Sequence, residues 1–387
     1  MARLRGRLDH LLERKLHQGL EGLQPSVLEI LRLGAYQLLY LDGTPAYAAI
    51  SQSVDLAKEA GGKSTGGLVN AVLRRVADDG DGSECFPDAA TDPAGYYTTW
   101  GSHPRWLVER WLQRWPVEQV DALVRSDNER APVCLVPLQT DAQGAVQELA
   151  AVGIESKPTG EGTQCVRLSP GTMPREALAV LPSIIQDPAA NLVIQYADIP
   201  AGTKVADLCA APGGKSLALS RGAVYTVAAD RSEGRMQLVR ENLARVGGAV
   251  GLVVADVRRP PIASADVVLL DVPCTGTGTL RRHPDGRWRL APDQIEDLAE
   301  VQREILDSAE GLVPPGGLLV YSTCTLEPEE NERQVKGFLD RHTDFEVTPT
   351  EAVPPRYLTE DGLLTVLPQD SGFDGSFAAR LRRAARG

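Results

Sequence analysis

Cysteine is scarce and unpaired in this chain. Its six cysteines, Cys85, Cys134, Cys165, Cys209, Cys274 and Cys324, form no C-x-x-C pair, which argues against a zinc site or a disulfide scaffold, so no metal is expected. Scattered free thiols point to a reducing compartment, the cytoplasm. No apolar run approaches the roughly 20 residues that cross a bilayer. The basic start Met1-Ala-Arg-Leu-Arg-Gly-Arg-Leu8 lacks the apolar core of a signal peptide, so neither membrane nor secretion is expected. A basic excess is missing too. The net charge of -12 opposes nonspecific attraction to polyanions, so any nucleic acid must be held by local clusters. There is no internal repeat and no low-complexity tract. Aromatic residues make up only 5% of the chain, yet four of the five tryptophans, Trp100, Trp106, Trp111 and Trp115, crowd a stretch containing His103-Pro104. Aromatics at that density can stack bases, but packing is the simpler explanation.

With 43% hydrophobic residues over 387 positions, there is material for two or three cored domains. Residues 1–77 read as helices only: Pro25 at a helix start, Val27, Leu31, Gly34 and Leu38 at helical spacing, then Ile50, Val54 and Ala57, then Leu68, Val72 and Val76. The acidic, glycine-bearing Ala77–Glu84 predicts a linker, and 78–127 a linker with a helical connector. Over 128–182 the period changes to short strands and a helix, a small α+β module. From 183 to 387, strands and helices alternate, which predicts an α/β domain with a mainly parallel sheet covered on both faces.

One stretch organises that domain. Lys204-Val-Ala-Asp-Leu-Cys-Ala-Ala-Pro-Gly-Gly-Lys-Ser216 reads as a buried strand, a glycine turn and a helix start, where unpaired backbone N–H groups can receive an anion. A phosphate-binding Walker loop fails on spacing, because Cys209 stands where its first glycine belongs. The dinucleotide fingerprint fails because only Gly213 and Gly214 are present. A cofactor that brings an amino-acid carboxylate and an adenosine fits better, and S-adenosyl-L-methionine is such a molecule.

Ligands of open α/β sheets bind at the carboxyl ends of the strands. The second strand ends at Asp230, suited to ribose hydroxyls, and the third at Asp256, suited to an adenine edge. The fourth ends in Asp271-Val-Pro-Cys274 and the fifth in Tyr321-Ser-Thr-Cys324. A lone acid at a strand end is often only a helix cap; several after one glycine turn are harder to dismiss. Carbon 5 of a pyrimidine becomes nucleophilic only after something adds to carbon 6, and a thiolate is well suited to that addition. Asp271 can hydrogen-bond a cytosine ring nitrogen or exocyclic amine and stabilise the developing charge. Buried filler is the commoner fate of an intracellular cysteine, and it suits Cys134, Cys165 and Cys209. Cys274 and Cys324 each sit in a polar turn after an apolar strand, which favours chemistry.

The same residues carry a resemblance. Asp207-Leu-Cys-Ala-Ala-Pro-Gly-Gly-Lys-Ser216, Asp271-Val-Pro-Cys-Thr-Gly-Thr-Gly278 with Arg281-Arg-His-Pro-Asp285, and Tyr321-Ser-Thr-Cys-Thr-Leu-Glu-Pro-Glu-Glu-Asn-Glu332 resemble, in order, the motifs of the Nol/Nop/Sun family of RNA cytosine-5 methyltransferases. The Arg-Arg-His-Pro-Asp element points to its bacterial Sun branch. Leu33-Gly-Ala-Tyr-Gln-Leu-Leu39 and Gly67-Leu-Val-Asn-Ala-Val-Leu-Arg-Arg75 are similar to the antitermination factor NusB. The resemblance implies a Rossmann-like methyltransferase sheet behind a NusB-like helical domain, S-adenosyl-L-methionine as cofactor and 16S ribosomal RNA, free or early in assembly, as partner. It makes Cys209, Ala210, Ala211, Pro212, Gly213, Gly214 and Lys215 the cofactor loop, with Asp230, Asp256 and Asp271 as further cofactor positions. It also makes Cys324 the nucleophile and Cys274 the residue that assists product release.

The chain departs from the family pattern in three places. Its helical domain begins late, Ser376 replaces a phenylalanine, which predicts a softer core under the last strand, and Asn191 replaces a common serine. For RNA, Arg281, Arg282, His283, Arg287 and Arg289 cluster after the Cys274 turn, beside the expected chemistry, and suit phosphate contact. Arg380, Arg382, Arg383 and Arg386 form a second group that a solvated face explains equally well. Two other classes stay open at this point: a NusB-like RNA-binding or antitermination protein with a non-catalytic methyltransferase scaffold, and a nicotinamide oxidoreductase, which the missing glycines disfavour.

Overall fold

The computed structural model describes residues 1–80, 82–160 and 162–385. Asp81 of the acidic linker and Arg386 of the C-terminal group lie outside the described residues. Two compact units result, one of Met1–Glu129 with His283–Arg289, the other of Arg130–Arg282 with Leu290–Gly387.

The first unit is helical. Helices Arg5–Glu13, Pro25–Tyr40 and Ala46–Asp79 bury Leu8, Leu12, Val27, Leu31, Ala35, Ala57, Val72 and Val76 in one core. The third apolar stripe is entered at Val69, fully buried, while Leu68 is 38% exposed; with Val72 and Val76, Val69 keeps the three- and seven-residue spacing of one helix face. Helices Pro93–Thr99, Arg105–Arg114 and Val117–Asn128 follow. The tryptophan cluster serves packing in part. Trp111 is buried edge-on against His103, and Trp100 lies between Phe86 and the Arg7 guanidinium.

The second unit holds two sheets. Strands β1 (Cys134–Pro137), β2 (Ser156–Pro158), β3 (Val166–Leu168) and β4 (Ser183–Ile185) form an antiparallel sheet in the order β2-β3-β1-β4. The sequence reading starts the catalytic domain at 183. Ser183–Ile185 instead pairs with Leu135–Pro137, so the small sheet takes this strand as well. One face of the sheet packs under helices Ala142–Ala150 and Pro174–Val180 through Leu135, Leu149, Val166 and Ala177. The other sets Cys134, Val136, Cys165 and Ile184 against Leu217 and Val246. Cys134 and Cys165 are fillers: burial pushes both thiols up, Cys134 to about 11.

The larger sheet contains β5 (Lys204–Asp207), β6 (Tyr225–Asp230), β7 (Val250–Val254), β8 (Val267–Asp271), β9 (Leu318–Thr323), β10 (Phe345–Val347), β11 (Leu364–Val366) and β12 (Ser376–Arg383). Its order is β10-β12-β9-β8-β5-β6-β7, with β11 also on β12. β5 to β9 are parallel and β12 runs antiparallel to β9. Uninterrupted apolar runs such as Val267-Val-Leu-Leu and Leu318-Leu-Val suit strands covered on both faces. Their alternate residues divide accordingly, with Val268, Leu270, Leu319 and Tyr321 in one core and Val267, Leu269, Leu318 and Val320 in the other. After β5 the chain builds β6 and β7 on one side, then crosses to build β8 and β9 on the other, so the switch point lies between β5 and β8.

Candidate active site

β5 ends at Asp207 and the turn reaches Gly213 at φ +100°, where a Cβ would stand 2.9 Å from the Val239 side chain. Only glycine takes that conformation and that space without strain. Helix Gly214–Leu219 begins there. Ser216 Oγ donates to Asp207 Oδ2 at 2.6 Å and so ties the helix back to the strand. Asp207 is 1% exposed, and burial lifts its carboxyl from the ordinary 3.8 to about 7 against the pull of that hydrogen bond. The folded state therefore keeps a proton that the unfolded chain releases near pH 3.8. It binds more protons across that window, and stability falls as pH rises through it. Asp207→Asn, which cannot ionise, is expected to match the parent in denaturant unfolding near pH 4 and exceed it by about 2–4 kcal/mol at pH 8. An equal difference at both pH values refutes this.

At the end of β6, Asp230 is 3% exposed. Ser232 N donates to its Oδ1 (2.9 Å), Ala211 N to its Oδ2 (3.3 Å), and Arg235 approaches to 3.6 Å. Beyond β7, Asp256 is held by the Arg258 guanidinium and backbone N–H at 2.7–3.2 Å, and the side-chain hydrogen bonds from Arg258 pull its carboxyl down to about 2. At the end of β8, Asp271 accepts from Lys215 Nζ at 2.7 Å and from Ser322 Oγ at 2.9 Å. Burial works against the Lys215 charge, but the Asp271 carboxylate outweighs it and the ammonium's pKa is raised. A cavity of about 260 Å³ joins these groups: Cys209, Ala211, Asp230, Asp256 and Asp271 line it together with Cys274 and Cys324. Ala210, Pro212, Gly213 and Gly214 shape the turn behind it, and Lys215 is drawn into the site by Asp271.

The two cysteines meet because β8 and β9 are parallel neighbours, with Asp271 opposite Ser322. Sγ of Cys274 lies 3.3 Å from Sγ of Cys324, and Cys324 N donates to Cys274 Sγ at 3.4 Å. The hydrogen bond with Cys324, then burial, raises the Cys274 pKa well above the ordinary thiol value.

A buried polar lattice fixes both turns. Glu330, fully buried, accepts from Thr275 N (2.9 Å), Thr275 Oγ1 (2.5 Å) and Gln302 Nε2 (2.9 Å). Thr325 Oγ1 bonds Thr275 Oγ1 and Thr277 Oγ1, and Thr277 Oγ1 accepts from Leu326 N. A Cβ on Gly278 would meet the Gly375 backbone at 2.7 Å and Cys324 O at 2.8 Å, so only glycine lets these segments close. Sequence assigned no role to Glu330, Gln302, Thr275 or Thr325. Glu330 sits in a run of acids that reads as a solvated helix start, and its signal was only its place inside a quoted motif.

The basic cluster divides in the structure. Arg281 is buried and Arg282 is only partly exposed, and both are engaged by carboxylates. Arg281 bonds Asp374 Oδ1 at 3.1 Å and Gly372 O at 2.9 Å, while Arg282 bonds Asp374 Oδ2 and Asp187 Oδ2 at 2.5 Å each and Pro132 O at 3.0 Å. Arg287 is fully buried in the helical unit, donating to Ser102 O, Asp127 O and Asn128 Oδ1, and burial lowers it to about 10. His283 and Arg289 are exposed, and Arg289 pairs with Asp285. In the C-terminal group Arg380 is buried on Pro349 O, Arg382 donates to Gly316 O, and Arg383 pairs with Asp344 and Glu310. Those guanidiniums that are already neutralised by carboxylates have less charge to offer phosphate.

Family models match three segments: NusB over residues 1–78, the ferredoxin-like domain of RsmF/B-like methyltransferases over 103–173, and the 16S rRNA methyltransferase RsmB/F over 197–382. A probable ribosomal RNA small subunit methyltransferase B from Synechocystis is 35% identical, with 97% of this chain and 87% of that protein covered. The ribosomal RNA small subunit methyltransferase B of Vibrio cholerae is 34% identical over 97% and 86%. Among solved structures, PH0851 superposes with TM-score 0.80 at 26% identity, covering 99% of this chain and 88% of that one.

Proposed function

The chain belongs to the family of 16S rRNA methyltransferases RsmB/F, and from that premise we propose that it methylates carbon 5 of a cytosine in 16S rRNA through a covalent adduct on Cys324. The observation that carries this reading is the contact of two thiols at 3.3 Å on the wall of a cavity whose other wall is a row of strand-end carboxylates.

The residues suit S-adenosyl-L-methionine. Asp230 keeps lone pairs for ribose hydroxyls beyond its two backbone bonds. Asp256, held ionised by Arg258, accepts from an exocyclic amine, and Val257 and Ile305 give apolar walls for a purine. When bound, the cofactor supplies an electrophilic methyl group. The chain's residues do the rest. The target cytosine must be unpaired or flipped out to reach Cys324. The Cys324 thiolate adds to carbon 6, and the displaced electron pair builds charge on the ring beside Asp271 and the Lys215 ammonium that Asp271 holds. After methylation the carbon 5 proton must leave and the carbon–sulfur bond break, and the hydrogen bond from Cys274 stabilises the departing thiolate. We assign RNA recognition to the helical segment 1–77, since the arginines near the cysteine turns are spent internally.

The test is a reaction of the full chain with unmethylated 16S rRNA and methyl-labelled cofactor, followed by nucleoside analysis. Label is expected in 5-methylcytidine, and label in another nucleoside overturns the reading. Asp230→Ala is expected to weaken cofactor binding by about 1.5–3 kcal/mol, the range for hydrogen bonds to a charged group. Unchanged calorimetric affinity in the folded variant removes Asp230 from the site.

A further inference from the structure

Two thiols at 3.3 Å are nearly placed for another reaction. A disulfide needs its sulfurs at about 2.05 Å, so roughly 1.3 Å of closing separates this pair from a covalent bond. The closing is local, because both turns leave adjacent parallel strands in fixed register. The sulfurs line a cavity of about 260 Å³, ample for a molecule the size of hydrogen peroxide.

The other cysteines are placed differently. Cys134 and Cys165 are buried in an apolar face between sheet and helices, and Cys85 belongs to the helical unit. Cys209 shares the cavity, but burial pushes its thiol far up, which leaves it almost no thiolate.

We propose that Cys274 and Cys324 are a redox modification site, closing to a reversible disulfide on exposure to a small hydroperoxide and reopening with a dithiol. The Cys324 thiolate attacks one peroxide oxygen. The O–O bond breaks, hydroxide leaves and is protonated to water, and Cys324 becomes a sulfenic acid. Cys274 sulfur then attacks that sulfur. The S–S bond forms, and the released hydroxide takes the Cys274 proton as a second water. Two thiols have given two electrons and the peroxide has been reduced. A dithiol reverses the modification by exchange through a mixed disulfide. In a reducing compartment such a bond is transient, the usual mode of cytosolic redox sensing. The proximity that keeps a thiol beside the leaving sulfur thus also exposes the pair to oxidation. That the disulfide silences methyl transfer rests on the role proposed above for Cys324; its formation does not.

The full chain is treated with hydrogen peroxide, denatured, alkylated and digested, with methyl transfer to 16S rRNA assayed in parallel. Free thiols are expected to fall from six to four, with one linked peptide joining Cys274 to Cys324. Methyl transfer is expected to fall in proportion to the linked fraction and to return with dithiothreitol. Cys274→Ser and Cys324→Ser are expected to give no such peptide, and in Cys274→Ser, Cys324 is driven on to sulfinic acid. Oxidation of Cys324 in the parent with no linked peptide, or a linkage through another cysteine, overturns the proposal. Complete linkage with methyl transfer unchanged leaves the disulfide standing but overturns silencing, and with it the nucleophile role of Cys324.

Discussion

Cys324→Ser is expected to yield neither methylated RNA nor a covalent complex, while Cys274→Ser yields a protein–RNA band on a denaturing gel. The two sulfurs stand 3.3 Å apart, so the asymmetry comes from protonation and not from distance. Cys274 holds its proton because its hydrogen bond with Cys324, and then burial, disfavour its thiolate. On the roles proposed above, Cys324 is the sulfur that attacks. A serine hydroxyl is far less ionised than a thiol near neutral pH, so Cys324→Ser loses the addition step. The rate is expected to fall by about 10⁴-fold or more, the scale on which enzymes fail when a nucleophile is removed. Cys274→Ser keeps the attacking thiolate but replaces the thiol that hydrogen-bonds the leaving sulfur with a hydroxyl, so addition and methylation proceed and release slows. The band should require RNA, strengthen with S-adenosyl-L-methionine and vanish in the double variant. A band from Cys324→Ser and none from Cys274→Ser reverses the roles and makes the cysteine after Asp-Val-Pro the nucleophile.

What sequence revealed and what it hid divide along a physical line. The strand–turn–helix at Asp207–Ser216 and the acids at strand ends were legible because backbone periodicity and glycine place them locally, and the parallel order then brings them to one cavity. The antiparallel flank of β10, β11 and β12 was not, because its pairing is set by partners tens of residues away. Charge was read worst. Lys and Arg in a sequence look solvated until the carboxylates that meet them are known, and Arg281 meets Asp374 across 93 positions. Asn191 illustrates the same limit on a small scale. It carried no readable consequence in the sequence, yet it is 1% exposed and accepts from Gln164 N at 2.8 Å, joining the loop between β2 and β3 to helix Pro188–Ala197.

Those hidden pairs carry the largest stability effect expected in this chain. Asp187 caps helix Pro188–Ala197 by accepting from Ala189 N at 2.9 Å, accepts from Asp374 N at 2.9 Å, and pairs with Arg282 at 2.5 Å and Arg281 at 3.7 Å. Its side chain is 7% exposed, as are those of Arg281 and Asp374 to within a few percent. Asp187→Ala therefore leaves two buried backbone N–H groups and part of two guanidiniums unpaired at once. Removing one partner of a buried ion pair costs about 3–5 kcal/mol, and the lost helix cap adds about 1. Asp187→Asn keeps an acceptor for the cap and should lie between the variant and the parent in denaturant unfolding. Arg282→Ala should also destabilise, by somewhat less because its side chain is 24% exposed. The decisive measurement is RNA binding by the folded Arg282→Ala protein across a salt series. A lost phosphate contact would make the log–log slope shallower by about 0.7 for a single strand. An unchanged slope is expected, because the charge of Arg282 is already neutralised by Asp187 and Asp374. A shallower slope would return this arginine to the RNA surface.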